Sequence, residues 1–165
     1  MSDKSHQVRL NKLLLKQNNE YSFSEQDEWL GTVLDELTGD VGGSSDSGLN
    51  HSLKVGLTVR KFEDFHYKNV VTVEGQIEAA YPALCSQSGT QIQEGLKISV
   101  NAVFIDSHFE EDDGLGDEIT LFYDESERDL YYFEKNLIDF LPVIHEYIFL
   151  NRNPYPGSDH GGESE

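Results

Sequence analysis

The chain changes hydrophobic period as it is read from one end to the other. Trp29, Leu30, Val33, Leu34 and Leu37 recur at helical spacing, which predicts an amphipathic helix with one face toward a core. Ser24 is of a type that caps helices, Asp27 stands three residues later as in a capping box, and Thr38-Gly39 is a stop. The period then becomes two. Leu53, Val55, Leu57 and Val59 alternate with Lys54, Gly56, Thr58 and Arg60; Val71, Val73, Gly75, Ile77, Ala79 and Tyr81 do the same, as do Leu96, Ile98, Val100, Ala102 and Phe104. Three strands are predicted, each with one apolar and one largely polar face, the pattern of an antiparallel sheet.

Shorter signals flank these. Val8, Leu10 and Leu13-Leu14-Leu15 suggest a brief opening strand, with helix as the alternative for so short a run. Ile119, Leu121 and Tyr123 suggest a fourth strand, with Leu130-Tyr131-Tyr132-Phe133 returning against it across residues 124–129. Asp139 is placed to cap a closing helix that carries Pro142 in its first turn, where a missing N–H costs nothing, and Leu141, Ile144, Ile148 and Phe149 share one face. The fold expected is α+β: an antiparallel sheet, open or closed into a barrel, with an N-terminal and a C-terminal helix. A single domain over residues 1–156 is expected, with mobile loops at about 40–50 and 106–118 and a disordered tail at 157–165.

Composition narrows what such a domain does. The 165 residues hold 31 Asp and Glu against 12 Lys and Arg, a formal charge of −19. A surface so acidic repels polyanions, so general nucleic-acid affinity is not expected and a basic protein partner fits better. No run approaches the roughly 20 apolar residues that span a bilayer, and the opening residues are polar. With Cys85 as the one cysteine, no internal disulfide and no four-thiolate zinc site is possible. A cytoplasmic protein without membrane contact is the simplest reading.

Reaction chemistry has little to stand on. The acidic stretch Glu110, Glu111, Asp112, Asp113, Asp117 and Glu118 invites calcium, but placing Gly114 at the sixth loop position puts Phe109 at the first ligand, and placing Gly116 there puts Leu115 at the fifth. A solvated loop is the better reading. His6, His51, His66, His108, His145 and His160 show no metal-ligand spacing, and His145-Glu146 reads as a surface pair. Cys85 opens the turn Cys85-Ser86-Gln87-Ser88-Gly89-Thr90 with no Lys, Arg or His nearby, so a structural thiol is expected there. Phosphate-loop, serine-elbow and zinc-protease motifs are missing. No cofactor, no metal and no catalytic residue is expected.

Three features together resemble the YceD-like family, whose members are linked to accumulation of large-subunit ribosomal RNA. The strand Val73-Glu74-Gly75-Gln76-Ile77-Glu78 running to Cys85-Ser86-Gln87-Ser88 is similar to the family's glycine-bearing strand and its Cys-x-Arg-Cys turn. An acidic region follows the next strand. Ile138-Asp139-Phe140-Leu141, then Ile144, Glu146, Ile148, Leu150 and Pro154, resemble the family's closing acidic helix and proline. The likeness spans residues 8–156, with Gly75, Cys85, Asp139 and Glu146 at motif positions. Gln87 and Ser88 replace the family's Arg and second Cys, so no metal or redox role of those cysteines carries over.

The resemblance implies a non-enzymatic role in ribosome biogenesis. Joined to the charge, it suggests that Glu110, Glu111, Asp112, Asp113, Asp117 and Glu118 engage a basic ribosomal protein or a large-subunit assembly intermediate. Two alternatives stand beside it. One is a protein-interaction module unrelated to ribosomes, which exposed Tyr131, Tyr132, Tyr147 and Tyr155 would favour. The other is local RNA contact through Lys54, Arg60, Lys61 and Lys68, the modest cluster of bases.

Overall fold

The computed structural model describes residues 5–39, 50–115 and 117–157. The expected loop at 40–50 thus lies, but for Asn50, outside the described residues, and the expected tail does so from residue 158 on. The protein is α+β. A six-stranded sheet runs in the order β2-β3-β4-β5-β7-β6, and a two-stranded sheet pairs β1 with β8. Strands β2 and β6 end the large sheet without pairing to each other, so it is open and not a barrel.

The three long strands form with the predicted faces. They are β3 (Ser52–Asp64), β4 (Lys68–Leu84) and β5 (Gln91–Asp106), joined as antiparallel hairpins. Their first face carries Leu53, Val55, Leu57, Val59, Val73, Ile77, Ile98, Val100 and Phe104 into the main core. Two helices cover that face. The first, α1 (Glu28–Thr38), buries Leu30, Val33, Leu34 and Leu37 and ends at Gly39, whose φ of 59° suits glycine. The last, α3 (Leu141–Asn151), buries Val143, Ile144 and Ile148 and has Pro142 in its first turn; its N-cap is Phe140 and not the expected Asp139, which stands one residue earlier and accepts the Leu141 N–H at 3.0 Å.

Elsewhere the structure departs from the sequence reading. The opening strand β1 has three residues, Gln7–Arg9, and gives way to a 3-10 turn over Leu10–Lys12; Leu10 and Leu13 are buried while Leu14 is exposed. Ser24 ends a strand, β2 (Asn19–Ser24), and the helix N-cap is Asp27, whose carboxylate accepts the Ser24 N–H at 2.9 Å. The acidic segment holds the tail of β5 and a five-residue helix, α2 (His108–Asp112). Strand β6 (Thr120–Tyr123) turns through Asp124 and Glu125, both at positive φ, into β7 (Ser126–Phe133). That turn is tighter than residues 124–129.

Strand β7 lies parallel to β5, so the sheet is mixed rather than wholly antiparallel. The reason is burial on both faces: Ala102, Val103, Phe104 and Ile105 are all buried, the continuous run that a two-sided position needs. Val70, Val103, Ile105, Phe109 and Leu130 form a second, smaller core on the face opposite α1 and α3. The last strand, β8 (Leu137–Asp139), pairs with β1 and brings His6 beside Asp139.

Candidate functional site

A groove of about 860 Å³ runs between α1 and α3. The helix period places Trp29, Thr32, Val33 and Glu36 on one wall; Leu141, Pro142 and His145 form the other. Trp29 is fixed edge-on to Phe23 at 5.1 Å and tilted against the His6 ring at 5.5 Å. His6 Nδ1 lies 2.6 Å from Asp139 Oδ1, and His145 Nε2 lies 3.1 Å from Glu36 Oε1. His145 therefore pairs across the groove with α1 and not with its neighbour Glu146. With each imidazole engaged by a carboxylate, the groove offers an apolar floor and an acidic rim, suited to an apolar side chain flanked by cations.

The acidic residues lie partly on the opposite face. Phe109 is buried in the second core, and from that anchor α2 points Glu110, Glu111 and Asp112 into solvent. Asp113 meets His66 Nε2 at 2.5 Å, tying α2 to the β3–β4 hairpin. At the same hairpin Asp64 is partly desolvated, which raises its pKa, but N–H groups of Tyr67 and His66 and the Tyr123 hydroxyl outweigh this and hold it below the usual range. Asp106 is likewise desolvated yet lowered, because the backbone and ring of His108 bond it. Glu110 to Asp113 are thus brought together. Asp117 is exposed, and Glu118 borders a separate cleft with Asp129, Tyr131, Glu146 and Tyr147.

The tyrosines do not form a free docking surface. Tyr131, Tyr132 and Tyr147 are half-buried against the two cores. Tyr131 donates to Glu146 at 3.0 Å and Tyr147 to Asp129; burial first, then those carboxylates, push both phenols well above their ordinary range. Tyr155 alone of the four is exposed. Arg128, a buried cation that sequence pattern did not single out, donates to Glu74 at 2.5 Å and to Asn101 at 2.9 Å, locking β7 to the sheet.

Lys54, Arg60, Lys61 and Lys68 are not one cluster. Lys54 and Arg60 share a face, but six residues of strand put them roughly 20 Å apart, and Lys54 sits across from Glu78. Arg60 stacks over Phe62 at 5.3 Å, Lys61 donates to the Leu10 carbonyl at 3.2 Å from the other face, and Lys68 is at the hairpin at positive φ. What gathers around Lys61 instead is Arg9 and Lys135, with Asn11, Asn69 and Asn136, lining a polar pocket of about 330 Å³. Arg9, Lys12 and Lys16 stand close in sequence and were a legible signal; Lys135 enters only through the β7–β8 turn.

Cys85 begins the β4–β5 turn, with its N–H bonded to Thr90 O at 2.8 Å. Hydrogen bonds from the Ser88 side chain and then from the Ser88 and Gln87 backbones draw its thiol below the ordinary range. Gly157 packs on it so closely that a Cβ there would fall 2.6 Å from the sulfur. Among the described residues no three His, Cys, Asp or Glu side chains converge as a metal centre would need. Nor, among the described residues, is any helix long and apolar enough to cross a membrane. Compared with protein-family models, curated proteins and solved structures, the chain finds no match.

Proposed function

We propose that this chain is a non-enzymatic cytoplasmic factor in large-subunit ribosomal RNA accumulation that engages a basic ribosomal protein or an assembly intermediate. The observation that carries the reading is the support given to the acidic residues. Glu110, Glu111 and Asp112 project from a helix anchored by buried Phe109 and tied through Asp113 to His66. Carried on an anchored backbone, these carboxylates meet lysine and arginine with less chain freedom to lose than those of a floppy loop would. The acid-rimmed groove between α1 and α3 adds a place for an apolar anchor, and the YceD-like resemblance supplies the ribosomal context.

The test is capture from native extract by the tagged chain at moderate salt, with RNA sequencing and mass spectrometry of what is retained. A basic ribosomal protein or large-subunit precursor RNA is expected, and calorimetry should show its binding weakened when Glu110, Glu111, Asp112, Asp113, Asp117 and Glu118 become Ser. Retention of neither would overturn the ribosomal reading. The interaction module unrelated to ribosomes is favoured by the groove alone, and retention of some other protein, lost in Trp29→Ala, would select it.

A further inference from the structure

Although acids outnumber bases 31 to 12, cations gather at one end of the sheet without carboxylate partners. The 3-10 segment is pinned there by the Leu10 N–H on Asn136 O at 2.8 Å and by the Lys16 N–H on Lys61 O at 2.8 Å. Arg9 thereby meets Lys61 and Lys135 at one pocket, and the Lys16 backbone lies against Lys61 and Arg60, whose Nη2 donates to the Lys16 carbonyl at 3.5 Å. The Lys and Arg ion pairs among the described residues belong only to Lys97 and Arg128. Arg60 Nε is buried with no hydrogen-bond partner. With no carboxylate paired to them, Arg9, Lys16, Arg60, Lys61 and Lys135 form a local positive surface on an otherwise acidic molecule, and such a surface attracts anions.

We infer that this basic end is a binding site for the phosphodiester backbone of single-stranded RNA. Arg9, Lys61 and Lys135 face a pocket of about 330 Å³, whose remaining polar lining is the carboxamides of Asn11, Asn69 and Asn136. Cations supply phosphate neutralisation, and carboxamides both donate to phosphate oxygens and read base edges. The pocket is open, and Lys16 and Arg60 carry the positive charge beyond it, so a chain of repeating phosphates fits better than one enclosed anion. Phe65, fully exposed at the tip of the β3–β4 hairpin that also carries Asn69, offers a ring on which a base can stack. A peptide of acidic residues alone would meet the cations but gain nothing from that ring. A duplex would bring its second strand against acidic surface, including Glu63, the cross-strand partner of Asn69, and Glu134, the chain neighbour of Lys135; a single strand bends away from them. The pocket is separate from the acidic helix, although Phe65 adjoins His66, which Asp113 bonds, and the inference does not rest on the ribosomal reading.

Fluorescence anisotropy of a short labelled oligouridine, titrated with the full chain, tests it. Binding is expected at about 50 mM salt and should weaken steeply toward about 200 mM. Arg9→Gln/Lys135→Gln changes two exposed side chains and spares Lys61, which bonds the backbone. It should cost about tenfold or more in affinity and flatten the log–log salt slope by roughly 1.4, at about 0.7 for each phosphate of a single strand that is no longer neutralised. Arg9→Lys/Lys135→Arg should restore both. Phe65→Ala should weaken binding a few-fold with the slope unchanged. The inference is overturned by no binding at low salt, by affinity and slope unchanged in the glutamine pair, or by a poly-glutamate peptide competing as well as unlabelled RNA.

Discussion

At the scale of single residues, two glycines on adjacent strands show why the same residue type has opposite meanings. Gly75 lies where β4 presses on β3, and a Cβ there would fall 1.9 Å from the Gly56 carbonyl oxygen. No rotamer relieves this, because the clash is with backbone. Gly56 has open space where its own Cβ would stand. Gly75→Ala should therefore destabilise the fold by about 3 kcal/mol or more, at or beyond the upper end of overpacking costs. Gly56→Ala should be neutral or stabilise by about 0.5 kcal/mol through reduced freedom of the unfolded strand. Urea unfolding of both variants checks the pair; equal midpoints would contradict the close approach. Glycine at position 75, which sequence could place only on a strand's apolar face, thus has a steric cause.

At the scale of elements, the β3–β4 hairpin, α2 and β6 form one clamp whose pieces titrate in opposite directions. Asp64 has its folded pKa lowered, so its contribution is fully present above the ordinary value of 3.8 and is lost as pH falls through the lower folded value. Tyr123, bonded to that carboxylate, is pushed up to about 12, first by burial and then by the Asp64 charge. Its contribution is fully present below 10.0 and lost as pH rises toward about 12. Phenolate absorbance should show Tyr123, Tyr131 and Tyr147 as late among the eight tyrosines. Asp64→Asn should draw the Tyr123 titration down and shrink the acid-side loss of stability. Titration of all eight near 10 in the native fold would refute the clamp. The long strands and both long helices were legible because their periods run over many residues and one face is buried. Strand β2, with only Tyr21 and Phe23 as apolar marks, and three-residue β8 are defined by partners distant in sequence. The parallel placement of β7 had a trace in the unbroken run Ala102-Val103-Phe104-Ile105, which reading one face of β5 passed over. Of the candidate site, the acidic residues were visible as composition, whereas the groove and the basic pocket arise only when α1 meets α3 and residue 9 meets residue 135.

At the scale of the whole molecule, charge is arranged rather than merely abundant. Glu28 and Glu36 put acid on the α1 wall of the α1–α3 groove, acidic α2 stands on the opposite face, and an unneutralised basic pocket closes one end of the sheet. A net charge of −19 makes the folded state repel itself, and unfolding relieves that by spreading the charges apart. Salt screens such repulsion, with a screening length of about 8 Å at physiological ionic strength and about 3 Å at 1 M. Raising salt from about 0.02 to about 0.5 M should stabilise the fold by about 1–2 kcal/mol, a rise in Tm of about 3–6 °C for a chain of this size. The same change should weaken capture of a basic partner and of RNA, since both depend on unscreened attraction. Opposite signs separate the two effects: binding lost at high salt while Tm climbs is electrostatic, not unfolding. A Tm that fell with salt would mean that attractive pairs such as Arg128–Glu74 outweigh the net repulsion, and would reverse the electrostatic account of the whole fold.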